Sequence, residues 1–409
     1  MKLFDELKWR GLIKDITSDE LEEKLNKGGM TFYIGTDPTA DSMHLGHLSS
    51  FLISKRLKDA GHNPILLIGG ATGLIGDPRP TQERSMISKE EVEKNVAGLT
   101  KQAKNLFGFE VVNNYDWIKD ISTIDFLREY GKYFNINYML DKDIIRRRLD
   151  TGITFTEFSY MLLQSLDFLY LHEHKKVDLQ VAGSDQWGNI TSGVDLIRKK
   201  TGDTVYAFTM PLVTDKYGNK FGKSEGNALW LDKNKTSSYE MYQYLINLED
   251  EMIENYLKIF TFLNKEEIEN IMKEHNEKKE LRIAQKALAK SIIEFLHGEK
   301  DYEKAVKLSE CLFSDKIHSL KKDDILENFD EFPRIETDYL EENIIDFLVN
   351  KKISSSKREA REFVNGNAIS INNKKVNDEN YIITKKDLID DSVLIINRSK
   401  KKKYIILFN

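Results

Sequence analysis

Residues 33–47 read YIGTDPTADSMHLGH. The run from Thr31 through Gly35 reads as a strand, and a short polar loop follows, holding Asp37, Pro38, Thr39 and Asp41. From about Met43 the chain turns helical, with Leu45, Leu48, Leu52 and Leu57 on one side. A strand feeding a helix N-terminus is a ready anion site, because the first-turn N–H groups lack partners and the dipole is positive there. His44 and His47 stand three residues apart in that turn, around Gly46, which leaves a flat ring or a sugar room to approach the backbone. Taken alone, such a histidine pair is more often surface or core than chemistry. A lysine pair lies about 175 residues further on, in Lys220-Phe221-Gly222-Lys223-Ser224. By itself that pentapeptide reads as a solvated basic turn.

Outward from these two stretches, the chain organises as follows. Residues 1–30 read as helix, with Ser18 as a cap. Ile65-Leu66-Leu67-Ile68 reads as a strand buried on both faces, as in a parallel sheet. With the preceding strand and helix it makes a βαβ unit. Its exit, residues 69–78, is glycine-rich at the carboxyl end of a strand, the edge at which doubly wound folds bind ligands. Ser88-Lys89-Glu90-Glu91 is a capping box opening a helix to about Phe107. Val111 and Val112 make a short strand, residues 122–175 are mostly helical, and 177–181 and 205–209 are further strands. Residues 237–310 carry helical periodicity, 321–336 are charged and contain Pro333, and short strands with one basic helix follow from about Tyr339. No internal repeat is visible.

Composition bounds the class. The 409 residues allow two or three domains, and 40% hydrophobic with 31% charged residues fits a globular chain. No apolar run approaches the roughly 18 residues of a membrane span. The opening MKLFDELKWRGLIKD is charged and amphipathic, unlike a secretory signal. The single Cys311 excludes an intrachain disulfide and a thiolate zinc cluster, which points to a reducing, cytoplasmic setting. The net charge is −6, yet residues 351–409 carry 14 Lys and Arg against 7 Asp and Glu. A basic tail on an acidic body points to a nucleic-acid partner, with solubility alone as the plainer reading.

His44-Leu45-Gly46-His47 resembles the HIGH signature of class I aminoacyl-tRNA synthetases, with Leu45 where Ile usually stands, and residues 220–224 resemble the KMSKS loop. Order and spacing are those of class I. Three further stretches, NNYDW at 113–117, TGITFTEFSYMLLQSLDF at 151–168 and AGSDQWGNI at 182–190, are similar to bacterial tyrosyl-tRNA synthetases, and the resemblance runs the full length. It implies an α/β fold: a Rossmann-like parallel-sheet nucleotide-binding catalytic domain over 1–230. An all-helical anticodon-arm domain over 231–320, a linker over 321–338 and a small α+β RNA-binding domain over 339–409, like one from a ribosomal small-subunit protein, complete it.

The resemblance also implies roles. Tyr33 and Asp167 grip a phenol hydroxyl, and leaving them unpaired rejects phenylalanine, a discrimination for which this enzyme type is the established case. Tyr160, Gln164 and Asp167 share one helix face at i, i+4 and i+7; Tyr160 and Gln164 hold the substrate ammonium, with Asn114 and Asp77 in support. Asp37 and Gln180 belong to the same substrate pocket. Thr39 and His44 contact the phosphates, and His47 and Ser50 the ribose or adenine. Gly35, Gly46 and Gly183 leave room for ATP. Asp185 and Gln186 reach the ribose and the tyrosine carboxyl, although Asp185 also reads as a helix cap. Lys220 and Lys223 tighten on the departing pyrophosphate. Arg84 matches a phosphate-contacting arginine. The loop after Asp77 lacks a lysine common in the family, and Arg79 is expected to substitute for it.

ATP serves as substrate with Mg2+ carried on it, and no metal site of the protein's own is expected. L-tyrosine and tRNA(Tyr) are the implied partners, the chain is expected to be a homodimer, and no membrane partner is expected. Three rival readings stay open at this level. A tryptophanyl-tRNA synthetase shares the fold and both signatures. A non-catalytic RNA-binding protein could use the same scaffold. A small-molecule nucleotidyltransferase needs neither the helical stretch nor the basic tail.

Overall fold

Six strands meet in one sheet: β1 (Asp15–Ile16), β2 (Thr31–Thr36), β3 (Asn63–Ile68), β4 (Glu110–Asn113), β5 (Leu179–Gly183) and β6 (Tyr206–Met210). The computed structural model describes residues 1–78, 86–224, 227–312, 314–328, 332–338, 341–398 and 402–408. The strand order is β1-β6-β5-β2-β3-β4, parallel throughout except for β1, which runs antiparallel along β6. β6 is buried at every position and β3 at its last four, as expected of parallel strands covered on both faces. The chain winds from β2 outward to β3 and β4, then returns to β5 on the other flank of β2. The strand order therefore reverses between β2 and β5, and a crevice opens at their carboxyl ends. Tyr33 on β2 lies opposite Gln180 on β5 at that junction.

Helices frame the crevice. Leu45–Asp59 follows β2, Phe155–Lys175 precedes β5, and Trp187–Thr201 follows it. Ser88 caps the helix Lys89–Phe107 by accepting from the Glu91 N–H at 3.2 Å. Thr154 does the same for Phe155–Lys175. Among the described residues, no helix is long and apolar enough to cross a membrane.

The chain forms two compact units, residues 1–235 with 248–292, and residues 236–247 with 293–409. The helices expected as one domain over 231–320 are thus shared between both units. In the second, helix Ser238–Ile246 packs on Glu299–Leu312, where Gln243 donates to the Ser309 hydroxyl at 2.7 Å. The C-terminal sheet uses strands numbered on from β7 (Lys223–Ser224) and β8 (Asn227–Ala228), a short antiparallel pair in the first unit. These are β9 (Arg334–Thr337), β10 (Glu342–Asn343), β11 (Ile369–Ile371), β12 (Lys374–Lys375), β13 (Ile382–Ile383), β14 (Val393–Arg398) and β15 (Lys402–Phe408). Five of them form a sheet in the order β12-β11-β14-β15-β9, and β10 pairs with β13. The unit's core gathers Ile344, Phe347, Leu348, Val364, Ile369, Leu394 and Ile406, all fully buried.

Two segments differ from the sequence reading. Residues 1–30 are not one helical region: helices Leu3–Trp9 and Glu20–Lys27 flank β1, which is fixed by side chains. The Thr209 hydroxyl donates to the Asp15 carboxylate at 2.6 Å, and the Thr17 N–H donates to the Ala207 carbonyl at 3.0 Å. Ser18 caps the start of the second of these helices, its hydroxyl accepting from the Glu20 N–H at 3.2 Å, while the Asp19 side chain makes no capping bond. The charged stretch 321–336 is not plain connector either. It holds helix Lys322–Asn328 and β9, which completes the C-terminal sheet by pairing in parallel with β15.

Candidate active site

The crevice between β2 and β5 opens into a cleft of about 380 Å³. Tyr33, Gly35, Asp37, Thr39, His44, Gly46, His47 and Ser50 line it from β2 and the helix after it. Tyr160, Gln164 and Asp167 reach it from helix Phe155–Lys175, confirming the face read from their spacing. Asp77, Gln180, Gly183, Asp185, Gln186 and Lys220 also line it, whereas Asn114 is buried behind it. Arg79 and Arg84 lie outside the described residues, as does the side chain of Lys223.

At the floor of the cleft, Asp167 is buried with both carboxylate oxygens engaged. Asn114 Nδ2 donates to Oδ2 at 2.9 Å and Trp117 Nε1 to Oδ1 at 3.0 Å. Burial pushes the carboxyl up to about 8, with the Asp37 charge adding to it, while the two N–H donors pull the other way. Tyr33 stands beside it, its ring tilted against Phe168 at 5.4 Å between centroids. Its hydroxyl is buried with no hydrogen-bond partner among the described residues. Burial and then the Asp167 charge raise that phenol well above its ordinary range. A carboxylate and an unsatisfied O–H at the end of an apolar slot can together take one hydroxyl of a ligand.

A second polar cluster sits nearer the mouth. Asp37 accepts from the Thr72 hydroxyl at 2.8 Å and from the Tyr160 hydroxyl at 2.9 Å. Asp77 accepts from Gln186 Nε2 at 2.8 Å and Asn189 Nδ2 at 3.2 Å, and the same Asn189 amide also reaches Gln164 Oε1 at 3.1 Å. Burial, followed by the charges of Asp37 and Asp77, raises the Tyr160 phenol well above its usual range. Two carboxylates held here by neutral donors make the cluster electronegative, suited to an ammonium group. Asn114, expected in support of that group, instead ties Asp167 to Thr72, donating to the Thr72 hydroxyl at 3.1 Å.

The third cluster is the helix start. His44 is the N-cap of Leu45–Asp59, and its Nδ1 accepts from the Gly46 N–H at 3.1 Å. His47 Nδ1 accepts from the His44 N–H at 3.3 Å, a reciprocal capping box built of two imidazoles, their rings stacked at 3.8 Å. With its Nδ1 accepting the His44 N–H, the neutral His47 ring carries its proton on Nε2, where it is an N–H donor. Burial, then the neighbouring His44 and Lys220, push His47 down to about 3, so it stays neutral.

Gly46 is required by close packing: a Cβ there would stand 2.9 Å from the His44 ring and 3.1 Å from the Phe221 carbonyl. Gly222, at φ +82°, would meet Leu45 Cβ at 2.8 Å and Gly46 N at 2.9 Å. The two signature stretches thus pack backbone against backbone. Leu45 N–H also donates to the Leu229 carbonyl at 2.7 Å, and Leu229 N–H to that of Gly222 at 3.0 Å. Asp185 caps no helix, and its carboxylate oxygen would lie 2.7 Å from a Cβ at Gly183.

Comparison with known proteins agrees with this geometry. A family model described as tRNA synthetases class I (W and Y) matches residues 25–314, and one described as the tyrosine–tRNA ligase SYY-like C-terminal domain matches 324–407. The tyrosine–tRNA ligase of Staphylococcus epidermidis is 48% identical over 413 residues, covering 99% of this chain and 98% of its own length. That of Staphylococcus carnosus is 48% identical over 416 residues, covering 100% and 99%. The chain belongs to the tyrosine–tRNA ligases.

A solved, C-terminally truncated mitochondrial tyrosyl-tRNA synthetase of Aspergillus nidulans is 32% identical to the chain. It covers 76% of this chain and 94% of its own, with a TM-score of 0.68. A tryptophanyl-tRNA synthetase of Encephalitozoon cuniculi, at 16% identity and a TM-score of 0.55, covers 80% of this chain and 90% of its own and shares the fold alone. Against that family background, sequence reasoning passed over residues that hold or line the cleft. Trp117 in NNYDW and Asn189 in AGSDQWGNI do not line it but donate to Asp167 and Asp77, and neither carries a spacing signal of its own. Thr72, Leu67 and the apolar strip Met210, Pro211, Leu212 and Val213 are brought to the cleft by the fold alone.

Proposed function

We propose that the cleft joins the carboxylate of L-tyrosine to the α-phosphorus of ATP and then passes the tyrosyl group to tRNA(Tyr). The observation that carries this reading is the unpartnered Tyr33 hydroxyl beside Asp167. A tyrosine side chain in the slot donates its O–H to Asp167 and accepts from Tyr33, which satisfies the orphan group. Phenylalanine would leave both groups unpaired in a buried site. The substrate ammonium is held by Asp37, Asp77 and Tyr160, with Gln164, and the carboxylate is steered by Gln186.

In the first step a tyrosine carboxylate oxygen forms a bond to the α-phosphorus, and the bond from that phosphorus to the bridging oxygen breaks. Pyrophosphate leaves with the electron pair. The negative charge grows on the β- and γ-phosphates, so fixed donors and cations serve better than a general base. His44 and His47 place two imidazoles at a helix N-terminus, Thr39 offers an O–H, and Lys220, Lys223 and Arg84 positive charge. Mg2+ enters as part of the ATP substrate and shields its phosphates. Ser50, Gly183 and Asp185 flank the ribose and adenine. In the second step a ribose hydroxyl of the terminal tRNA adenosine attacks the acyl carbon, and AMP departs.

The helices over 231–320 and the basic C-terminal unit are proposed to hold the tRNA. A homodimer is supported by the exposure of Ile124, Leu127, Ile136, Tyr138, Leu149 and Phe155 within one stretch of the first unit. We assign the chain to the cytoplasm. Amino-acid-dependent ATP–pyrophosphate exchange without tRNA tests the reading, comparing tyrosine, tryptophan and phenylalanine. Exchange with tyrosine alone is expected; exchange with tryptophan, or with none of the three, refutes the assignment of the slot.

A further inference from the structure

We propose that Tyr256 is a positioning residue for amino-acid activation, clamping both arms of the hairpin that carries Lys220. The inference rests on reading Lys220 as a cation for the departing pyrophosphate. Residues 213–221 form the hairpin. Phe221 N–H donates to the Val213 carbonyl at 3.0 Å and Asp215 N–H to that of Asn219 at 2.8 Å, while Thr214 and Lys220 bridge antiparallel. Its tip is closed by the Asp215 carboxylate, which accepts the N–H groups of Tyr217 and Asn219 at 2.9 and 2.8 Å.

Helix Asp250–Phe260, with its N-cap Glu249, holds this hairpin at three levels. At the tip, Lys216 pairs with Glu249 at 2.9 Å, an exposed contact of little strength. In the middle, the Tyr256 O–H donates to the Thr214 carbonyl at 3.0 Å. At the base, the rings of Tyr256 and Phe260 each lie 4.6 Å from that of Phe221. Tyr256, 1% exposed, therefore touches one arm through its hydroxyl and the other through its ring. Thr214 and Phe221 are each one residue from, or paired with, Lys220, so the lysine's backbone has little freedom to drift.

The frame closes on itself. Arg56, from the helix begun by His44, donates to the Thr261 carbonyl just past helix Asp250–Phe260. Arg10 donates to the Lys258 and Leu263 carbonyls at 2.8 and 2.7 Å. Gly222 meanwhile rests on Leu45 and Gly46. Lys220 is thus held between the histidine turn on one side and Tyr256 on the other. A cation that engages only in the transition state must be carried there on a well-held backbone, so a loosened hairpin slows the chemical step without weakening ground-state binding.

Tyr256→Phe keeps the ring and removes the O–H. Rapid-quench measurement of tyrosyl-adenylate formation is expected to show a rate constant lowered roughly tenfold, with the KM for tyrosine unchanged. Phe221→Leu, which loosens the other arm, is expected to act alike, and circular dichroism verifies that each variant is folded. Added to Lys220→Ala, Tyr256→Phe is expected to lower the rate no further, because its effect passes through that lysine. A wild-type rate in Tyr256→Phe, or an equal loss with and without the Lys220 side chain, overturns the clamp. If Lys220→Ala itself keeps the wild-type rate, the reading of the lysine fails and the clamp falls with it.

Discussion

Replacing Asp167 with asparagine separates what this carboxylate costs the fold from what it does for the substrate. Both groups facing it are donors: the Trp117 indole has no acceptor, and Asn114 cannot turn its amide without losing the bond its Oδ1 accepts from the Ala71 N–H at 2.8 Å. Asparagine would set its own NH2 against one of them, at a cost of about 1–3 kcal/mol. Against this stands the charge. The carboxyl rises from an ordinary aspartate's 3.8 to about 8. At about 1.4 kcal/mol per pH unit that difference amounts to about 6 kcal/mol in full, of which about 5 kcal/mol is lost by pH 8.

The folded carboxyl holds its proton up to about pH 8 while the unfolded chain releases it near pH 4, so the wild type loses stability progressively across that interval. Asp167→Asn has no such loss. The variant is therefore expected to be less stable than wild type near pH 4, by about 1–3 kcal/mol, and more stable at pH 8, by about 2–4 kcal/mol. Tyrosine-dependent pyrophosphate exchange is expected to fall at both pH values. Unfolding followed by circular dichroism at pH 4.5, 6 and 8 measures the difference between the two proteins, in which every other titrating group cancels. A difference that stays constant from pH 4.5 to 8 would refute the reasoning.

Tyr33→Phe removes the orphan hydroxyl and is expected to lower the preference for tyrosine over phenylalanine by about 2- to 10-fold, read from the ratio of kcat/KM values. Gly222→Ala places a Cβ against Leu45 and Gly46 at a positive φ, so the lysine loop must shift. Pyrophosphate exchange is expected to collapse by roughly 10²-fold while tyrosine binding, measured by equilibrium dialysis, persists. Of the basic run 400–403, Lys402 and Lys403 lie in β15 and the first two lysines fall outside the described residues. Neutralising Lys402 and Lys403 is expected to raise the KM for tRNA and flatten its salt dependence in a charging assay, leaving exchange without tRNA unchanged.

What could be read from the sequence was what periodicity and adjacency encode. The apolar run 65–68 announced a doubly covered strand, and Tyr160, Gln164 and Asp167 announced a shared face, because both signals are local. The donors on Asp167 come from residues 50 and more positions away, and nothing local ties Trp117 or Asn114 to it. β1 has two residues, too few for any alternation, and is held by threonine and aspartate side chains. β9 hid within a charged stretch because it is an edge strand with one buried residue, Thr337. Gly46 was legible as a glycine that matters, yet its reason is the approach of the lysine loop and not of a ligand alone.

The imidazole capping box has a consequence for how this protein can change. Active sites usually strain their host, so that blunting them makes the fold sturdier. Here the two rings proposed to face the phosphates also begin a 15-residue helix, each spending its Nδ1 on a backbone N–H of that start. A lineage drifting away from catalysis would find no stabilising path through His44, since losing an N-cap costs about 1 kcal/mol. The histidines would outlast the activity they serve.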